Sequence, residues 1–295
     1  MCFAGGVSSG IRPVRRRQLL TLGAAALLAG CAGDGTHGGS ARWNAAPTPS
    51  GGPGDSHPEP PTPTPAGTPS PTLSPTPWQV PTPATPIPGV CPGTPGVVQH
   101  PGGPQHYLPC SGTDIALTID DGPDPQWTPR ILALLARYHV TATFFVVGKR
   151  IVRYPQLVAS VAAAGHQVAN HTFTHAQPFA RLTAPQVHDE IARTSDVLAG
   201  IGIRPRLFRA PGGEWSPATL GECAAAGLRP LDWSVDPRDW SRPGVRHIVE
   251  TILTRTRPGA IILDHDGGGD RQQTLDALTI ALPRLLDAGY HFVQP

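Results

Sequence analysis

The sequence has little charge, almost no lysine and few cysteines. Charged residues make up 15% of the 295, and the formal net charge is only +2. Five of the 23 basic and three of the 21 acidic side chains precede residue 111, so 18 of each sign remain beyond it. A neutral C-terminal portion excludes a nucleic-acid-binding face, which needs concentrated positive charge. Lys149 is the only lysine, and it reads as a compositional bias rather than a site. The apolar run from Leu19 to Ala29 is too short to cross a bilayer as a stable helix.

Proline and glycine are plentiful, 37 and 34 residues, but unevenly spread. From Asp34 to about Pro109 the repeated Pro-Thr and Pro-Ser steps cannot build a core, because proline removes backbone donors and nothing large and apolar recurs. Residues 32–110 are therefore expected to form a semi-rigid, polyproline-like spacer. Ahead of it, residues 1–31 read as an export signal. Arg15-Arg16-Arg17 precedes the apolar run, which ends in Leu28-Ala29-Gly30-Cys31. That ending resembles a bacterial lipoprotein processing box, which implies cleavage before Cys31 and lipid on its thiol. Arg16-Arg17-Gln18-Leu19-Leu20 resembles a twin-arginine motif, with Arg15 in place of the usual Ser or Thr. The alternative is an ordinary signal peptide with a chance cysteine. Either way the protein is expected outside the cytoplasm, secreted or lipid-anchored on the outer face of the membrane. There Cys91 and Cys110 could pair, while Cys223, in an apolar run, reads as a small buried hydrophobe.

Residues 111–295 are long enough for one α/β domain. Its organising stretch is Ile115 to Pro123, where Ile115, Leu117 and Ile119 alternate as in a buried strand. The strand runs straight into Asp120 and Asp121 and is stopped by Gly122-Pro123. Two adjacent carboxylates at the end of an apolar strand are costly unless a cation compensates them. The competing reading is a plain turn.

Further strands are expected at Ala142 to Val147, Gln167 to Asn170, Leu207 to Ala210, Leu231 to Val235, Ala260 to Leu263 and His291 to Val293. Helices are expected over Trp127 to Tyr138, Pro155 to Ala164, Thr183 to Gly200 behind a capping box, Pro217 to Ala226, Val245 to Thr256 and Gln272 to Ala288. Repeated βα units imply parallel strands with helices outside, as a barrel or an open sheet. The chemistry then belongs at the C-terminal strand ends.

The unusual polar residues fall there. His171 and His175, four apart, can reach one metal ion together with Asp121. Two nitrogens and one oxygen leave a coordination position open, as in catalytic zinc sites. Arg209 after the fourth strand can hold a carboxylate through two parallel hydrogen bonds. After the fifth strand, acids alternate with indoles from Asp232 to Trp240, and an indole offers a flat wall to a sugar face or a methyl group. His265 follows the sixth. His139, His166, His188, His247 and His291 read as surface or packing residues.

Taken in order, these segments resemble the polysaccharide deacetylases of the chitooligosaccharide-deacetylase (NodB) homology type, carbohydrate esterase family four. Thr118-Ile119-Asp120-Asp121-Gly122-Pro123 matches the first motif, with Ile for the family's Phe. The resemblance implies that Asp120 is the catalytic base, and that Asp121, His171 and His175 bind a divalent metal, usually zinc, with cobalt as an alternative. It implies that Arg209 orients Asp120, and that His265, oriented by Asp239, is the catalytic acid. Pro211, Gly212, Trp240 and Leu263 would form the substrate pocket. Gly212 stands where the family usually carries an aromatic residue, which keeps the main-chain N–H but removes a ring from the groove.

The implied fold is a distorted (β/α) barrel of about seven units. The implied activity is metal-dependent removal of acetyl groups from a polysaccharide containing N-acetylglucosamine. Peptidoglycan comes first and chitin-type oligomers second as substrate. The alternatives are an O-acetyl esterase acting on xylan and an inactive wall-glycan-binding module. A monomer is expected, with an acetylated glycan as partner, no nucleic acid, and membrane contact only through the N-terminal lipid.

Overall fold

The computed structural model describes residues 77–86, 102–109 and 112–295, all within one compact unit, Leu73–Pro295. The expected export signal with Cys31, most of the expected spacer, and Cys91 and Cys110 lie outside the described residues.

In chain order the elements are β1 (Asp114–Asp120), α1 (Thr128–Tyr138), β2 (Thr143–Val146), α2 (Gly148–Arg153), α3 (Pro155–Ala163), β3 (Gln167–Asn170), α4 (Ala184–Gly200), β4 (Leu207–Phe208), α5 (Pro217–Ala225), β5 (Arg229–Pro230), α6 (Val245–Arg255), β6 (Ile261–His265), α7 (Gln272–Asp287) and β7 (His291–Phe292). The sheet runs β5-β4-β3-β2-β1-β6, every pairing is parallel, and β7 pairs with the first two residues of β1. It curls into the expected distorted (β/α) barrel.

Strands β1, β2, β3, β4 and β6 are almost wholly buried, as parallel strands flanked by helices must be, whereas the short β5 and β7 are partly exposed. On β1, Ile115, Leu117 and Ile119 join the core shared with the helices, through Ile131, Leu135, Ile248 and Leu278. The alternate residue Ala116 packs inside the barrel with Phe145, Ala169, Leu207, Leu231 and Ile261. Because side chains alternate along a strand, Thr118 and Asp120 continue that inner series. The period that builds the core thus aims Asp120 into the barrel mouth.

Helix α4 starts at the expected capping box, Thr183 with Gln186. The expected fifth strand over Leu231 to Val235 is not there. The strand is Arg229–Pro230, and Leu231 and Val235 form only isolated bridges, to Gln105 and Ile262. The reason is a change of partner: the chain leaves β4 and crosses towards β6, where the Ser234 and Val235 amides both donate to the Ile261 carbonyl. The fourth strand is also shorter than expected, and α2 was not anticipated.

Part of the stretch read as spacer belongs to the folded unit. Trp78 and Val80 pack on the main core, and Trp78 Nε1 donates to Glu250 Oε1 at 3.1 Å. Gln105 and Tyr107 bridge Leu231 and Ala260, so residues 102–109 stitch the end of β5 to the start of β6.

Candidate active site

A cleft of about 360 Å³ opens at the C-terminal ends of the strands, lined in part by Asp120, Asp121, His171, His175, Leu263 and His265. Gly212, Trp233 and Trp240 also line it. Pro211 is buried and is absent from the lining; it opens the short turn that carries Gly212.

Arg209 is fully buried beneath the cleft. Its Nη1 donates to Asp120 Oδ1 at 2.7 Å and to Thr118 Oγ1 at 2.9 Å, its Nη2 to the Asp232 carbonyl and its Nε to the Leu231 carbonyl. The carboxylate is therefore gripped through one oxygen, not through the expected pair of parallel bonds. The other guanidinium donors satisfy main-chain carbonyls at the place where β5 is abandoned. Asp120 Oδ2 is left beside His171 Nε2, 3.7 Å away.

His171 and His175 do not lie on a helical turn. Thr172 and His175 have φ of 67° and 60°, and the loop is pinned from below by Glu190. The Glu190 carboxylate accepts from Phe173 N–H, Thr174 N–H and Thr174 Oγ1 at 2.8, 2.7 and 2.6 Å. From the side, the Gly148 and Lys149 amides at the start of α2 donate to the Thr172 and Phe173 carbonyls. This unanticipated helix and Glu190 are the parts that sequence reasoning missed.

The loop delivers both imidazoles to Asp121. Asp121 Oδ1 lies 3.1 Å from His175 Nε2 and 3.5 Å from His171 Nε2, and one donor atom from each residue falls within 4.8 Å of the others. Asp121 Oδ1 is nonetheless buried without a properly formed hydrogen bond. His171 Nδ1 lies 2.9 Å from the Arg209 carbonyl, which can only accept. That fixes the proton on Nδ1 and leaves the Nε2 lone pair facing Asp121, the arrangement of a metal-ligating histidine. An orphaned carboxylate oxygen between two imidazoles is a donor set that fits a divalent cation. Burial pushes the Asp121 carboxyl up, but the imidazoles of His171, His175 and His265 outweigh it and leave it well below the usual range.

On the opposite wall His265 Nδ1 lies 2.7 Å from Asp239 Oδ1. Asp239 Oδ2 accepts from the His265 amide and from Thr274 Oγ1, so the buried acid is fixed on both oxygens. Burial disfavours the imidazolium, yet the Asp239 charge and hydrogen bond prevail and push His265 up to about 9. Behind Gly122, where any Cβ would collide with its carboxylate, Asp266 is pushed up to about 7 by burial, against the hydrogen bond from Thr128.

Residues 109–231 match the sequence profile described as Polysaccharide deacetylase. A chitooligosaccharide deacetylase of Bradyrhizobium sp. is 42% identical over 200 residues, covering 63% of this chain and 91% of that protein. The chain belongs to the polysaccharide deacetylase family. A second relative, a peptidoglycan-N-acetylglucosamine deacetylase of Bacillus cereus, is 43% identical over 187 residues, covering 61% of this chain and 84% of the relative. Among solved structures, a peptidoglycan N-acetylglucosamine deacetylase bound to a naphthalenyl hydroxybenzamide superposes with TM-score 0.62 at 33% identity, over 64% of this polysaccharide deacetylase and 89% of that chain. A family 4 carbohydrate esterase from Streptomyces lividans in complex with acetate gives TM-score 0.58 at 33% identity, over 63% and 94%.

Proposed function

We propose that this polysaccharide deacetylase hydrolyses the acetamide of N-acetylglucosamine units in a polymer, with peptidoglycan as first substrate and chitin-type oligomers as second. The observation that carries the reading is the pair of opposed proton carriers. Asp120 on one wall and His265 on the other each have one side fixed by a buried partner and the other side turned to a shared cleft.

A divalent cation held by Asp121, His171 and His175, zinc by the nature of the donors and cobalt as a substitute, would act as a Lewis acid towards the acetyl carbonyl and acidify water beside it. Asp120, oriented by Arg209, takes the proton of the attacking water. The Gly212 N–H has no hydrogen-bond partner among the described residues and is free to donate to the oxyanion as it develops. His265, carrying its proton at neutral pH, gives it to the departing amine. Leu263 is buried at the cleft floor and suits a methyl group, whereas Trp240, 47% exposed, stands at the rim as a platform for a sugar face. The lipoprotein-type leader supports placement outside the cytoplasm, secreted or tethered by lipid to the membrane's outer face.

The test is acetate release by the full chain from N-acetylglucosamine oligomers, peptidoglycan fragments and acetylxylan. Release from the first two, abolished by chelator and restored by zinc or cobalt, is the expected result. Turnover undiminished in chelator would refute the metal dependence, and release from acetylxylan alone would make the protein an O-acetyl esterase.

A further inference from the structure

Two cations, one in the cleft wall and one in the recess beside it, have no part in that mechanism. Arg271 precedes α7 and is only 3% exposed, yet it lines the cleft. Its Nε donates to the Gly267 carbonyl at 2.6 Å, and among the described residues its two Nη groups have no hydrogen bond and no carboxylate within ion-pairing distance. Neither Nη is among the sealed, unpartnered polar atoms of the described residues, so the idle donors open onto the cleft and can be accepted from there. Gly268 separates it from the metal-candidate carboxylate: a Cβ there would lie 2.9 Å from Asp121 Oδ2 and 3.1 Å from Arg271 Nη2. On the other side of Gly268 a smaller recess of about 190 Å³ leads outward, lined by Asp121, His175, Lys149 and Arg150. Lys149 donates only to the neutral Thr174 carbonyl, at 2.8 Å.

The acids facing this flank are otherwise occupied. Asp121 faces the two imidazoles, Asp124 pairs with Arg150 at 3.4 Å, and Asp270 accepts from the Gln272 amide farther along. The cleft also carries two indoles, Trp233 and Trp240. Arg271 thus stands in the cleft wall and Lys149 in the adjoining recess, the two spaces sharing Asp121, His175 and Gly268, with both cations free of a carboxylate partner among the described residues.

We propose that Arg271 and Lys149 form an anion-reading flank that binds a carboxylate carried by the sugar next to the one losing its acetyl group. This rests on the deacetylase reading and narrows its substrate to glycans with acidic substituents, such as lactyl ethers on alternate sugars. Arg271 offers a planar pair of donors suited to a carboxylate, and Lys149 adds a mobile point charge nearer solvent. No chemical step is assigned to either residue; they act on binding.

The experiment compares KM and kcat of the full chain on three glycans of equal length. One is a wall-glycan fragment with lactyl carboxylates, the second is the same fragment with those carboxylates amidated, and the third is an N-acetylglucosamine oligomer. The native chain should prefer the acidic fragment over its amidated form by about tenfold in KM, the size expected of one charge-assisted hydrogen bond. Lys149→Met and Arg271→Met should each pull that ratio towards one. Lys149 is exposed, so its variant keeps the test open if the buried arginine cannot be replaced without unfolding. A native ratio of one, or a tenfold ratio that survives Lys149→Met and any folded Arg271→Met, overturns the proposal. Equal acetate release from acidic and amidated fragments sinks the anion flank alone, whereas no release from any of the three sinks the deacetylase reading with it.

Discussion

His265 Nδ1 and Asp239 Oδ1 lie 2.7 Å apart, and among the described residues neither has another ion-pair partner. Burial alone would drive the imidazole neutral, but the acid holds its proton on up to about 9. The folded value lies above the ordinary 6.5, so the pair stabilises the fold fully below about pH 6.5 and loses that contribution as pH rises through about 9.

The same shift sets the alkaline limb of activity. As the proposed proton donor to the amine, His265 must be protonated, so kcat/KM should fall as pH passes about 9. Asp239→Asn should lower kcat by roughly a hundredfold or more and move that limb towards about 6.5, because the imidazolium loses its counter-charge. A pH–rate profile of both proteins measures it. A limb that stays in place in the variant would mean that another group donates the proton.

The two neighbouring acids separate cleanly. Asp120→Asn keeps the Asp121–His171–His175 set intact, so metal content should be unchanged while turnover falls by about 10²–10⁴. Asp121→Asn removes the carboxylate oxygen between the imidazoles and should lose both metal and turnover. Elemental analysis of the two purified variants beside an acetate assay decides the matter.

Glu190 acts one layer further out. Its carboxylate holds three donors of the loop that presents His171 and His175, and among the described residues nothing else bonds Thr174 Oγ1. Glu190→Ala should weaken metal affinity by about 10- to 100-fold, the usual effect of losing an outer-layer partner. Glu190→Gln, still an acceptor through one oxygen, should fall between. Titration with zinc against a competing chelator reads this directly, and equal affinity in all three proteins would remove Glu190 from the site.

How much of this was legible follows from how local each signal was. β1 was readable because Ile115, Leu117 and Ile119 alternate within five residues, and α4 because Thr183 and Gln186 cap it within one turn. β5 was misplaced because Leu231 to Val235 is apolar enough for a strand, but its partner is decided by tertiary geometry, at Ile261. The candidate ligands His171 and His175 stood out by type and spacing. Their support did not: Glu190 sits on a helix face where a carboxylate reads as solvated, and Arg271 sits among glycines and polar residues with no period to follow. The idle donors of Arg271 and the collar around Thr172 exist only once distant segments meet.

The proline-rich stretch ahead of the barrel gives a stability prediction. Trp78 and Val80 lie on the core beside α6 and α7, with Arg246 5.8 Å from the indole centre, and Pro83 and Pro86 are buried. Residues 102–109 add main-chain bonds to Pro230, Gly259 and Asp232 that close the gap between β5 and β6. Trp78→Ala removes part of a large apolar contact without touching the cleft, and should cost about 1–2 kcal/mol, or roughly 2–8 °C in Tm for a domain of this size. A chain beginning at residue 111 loses the indole contact and the β5–β6 stitching together. It should unfold at a markedly lower temperature than Trp78→Ala, or fail to accumulate as folded protein. Calorimetry of the three chains tests the order, and a shortened chain as stable as the full one would show that the barrel closes without its N-terminal strap.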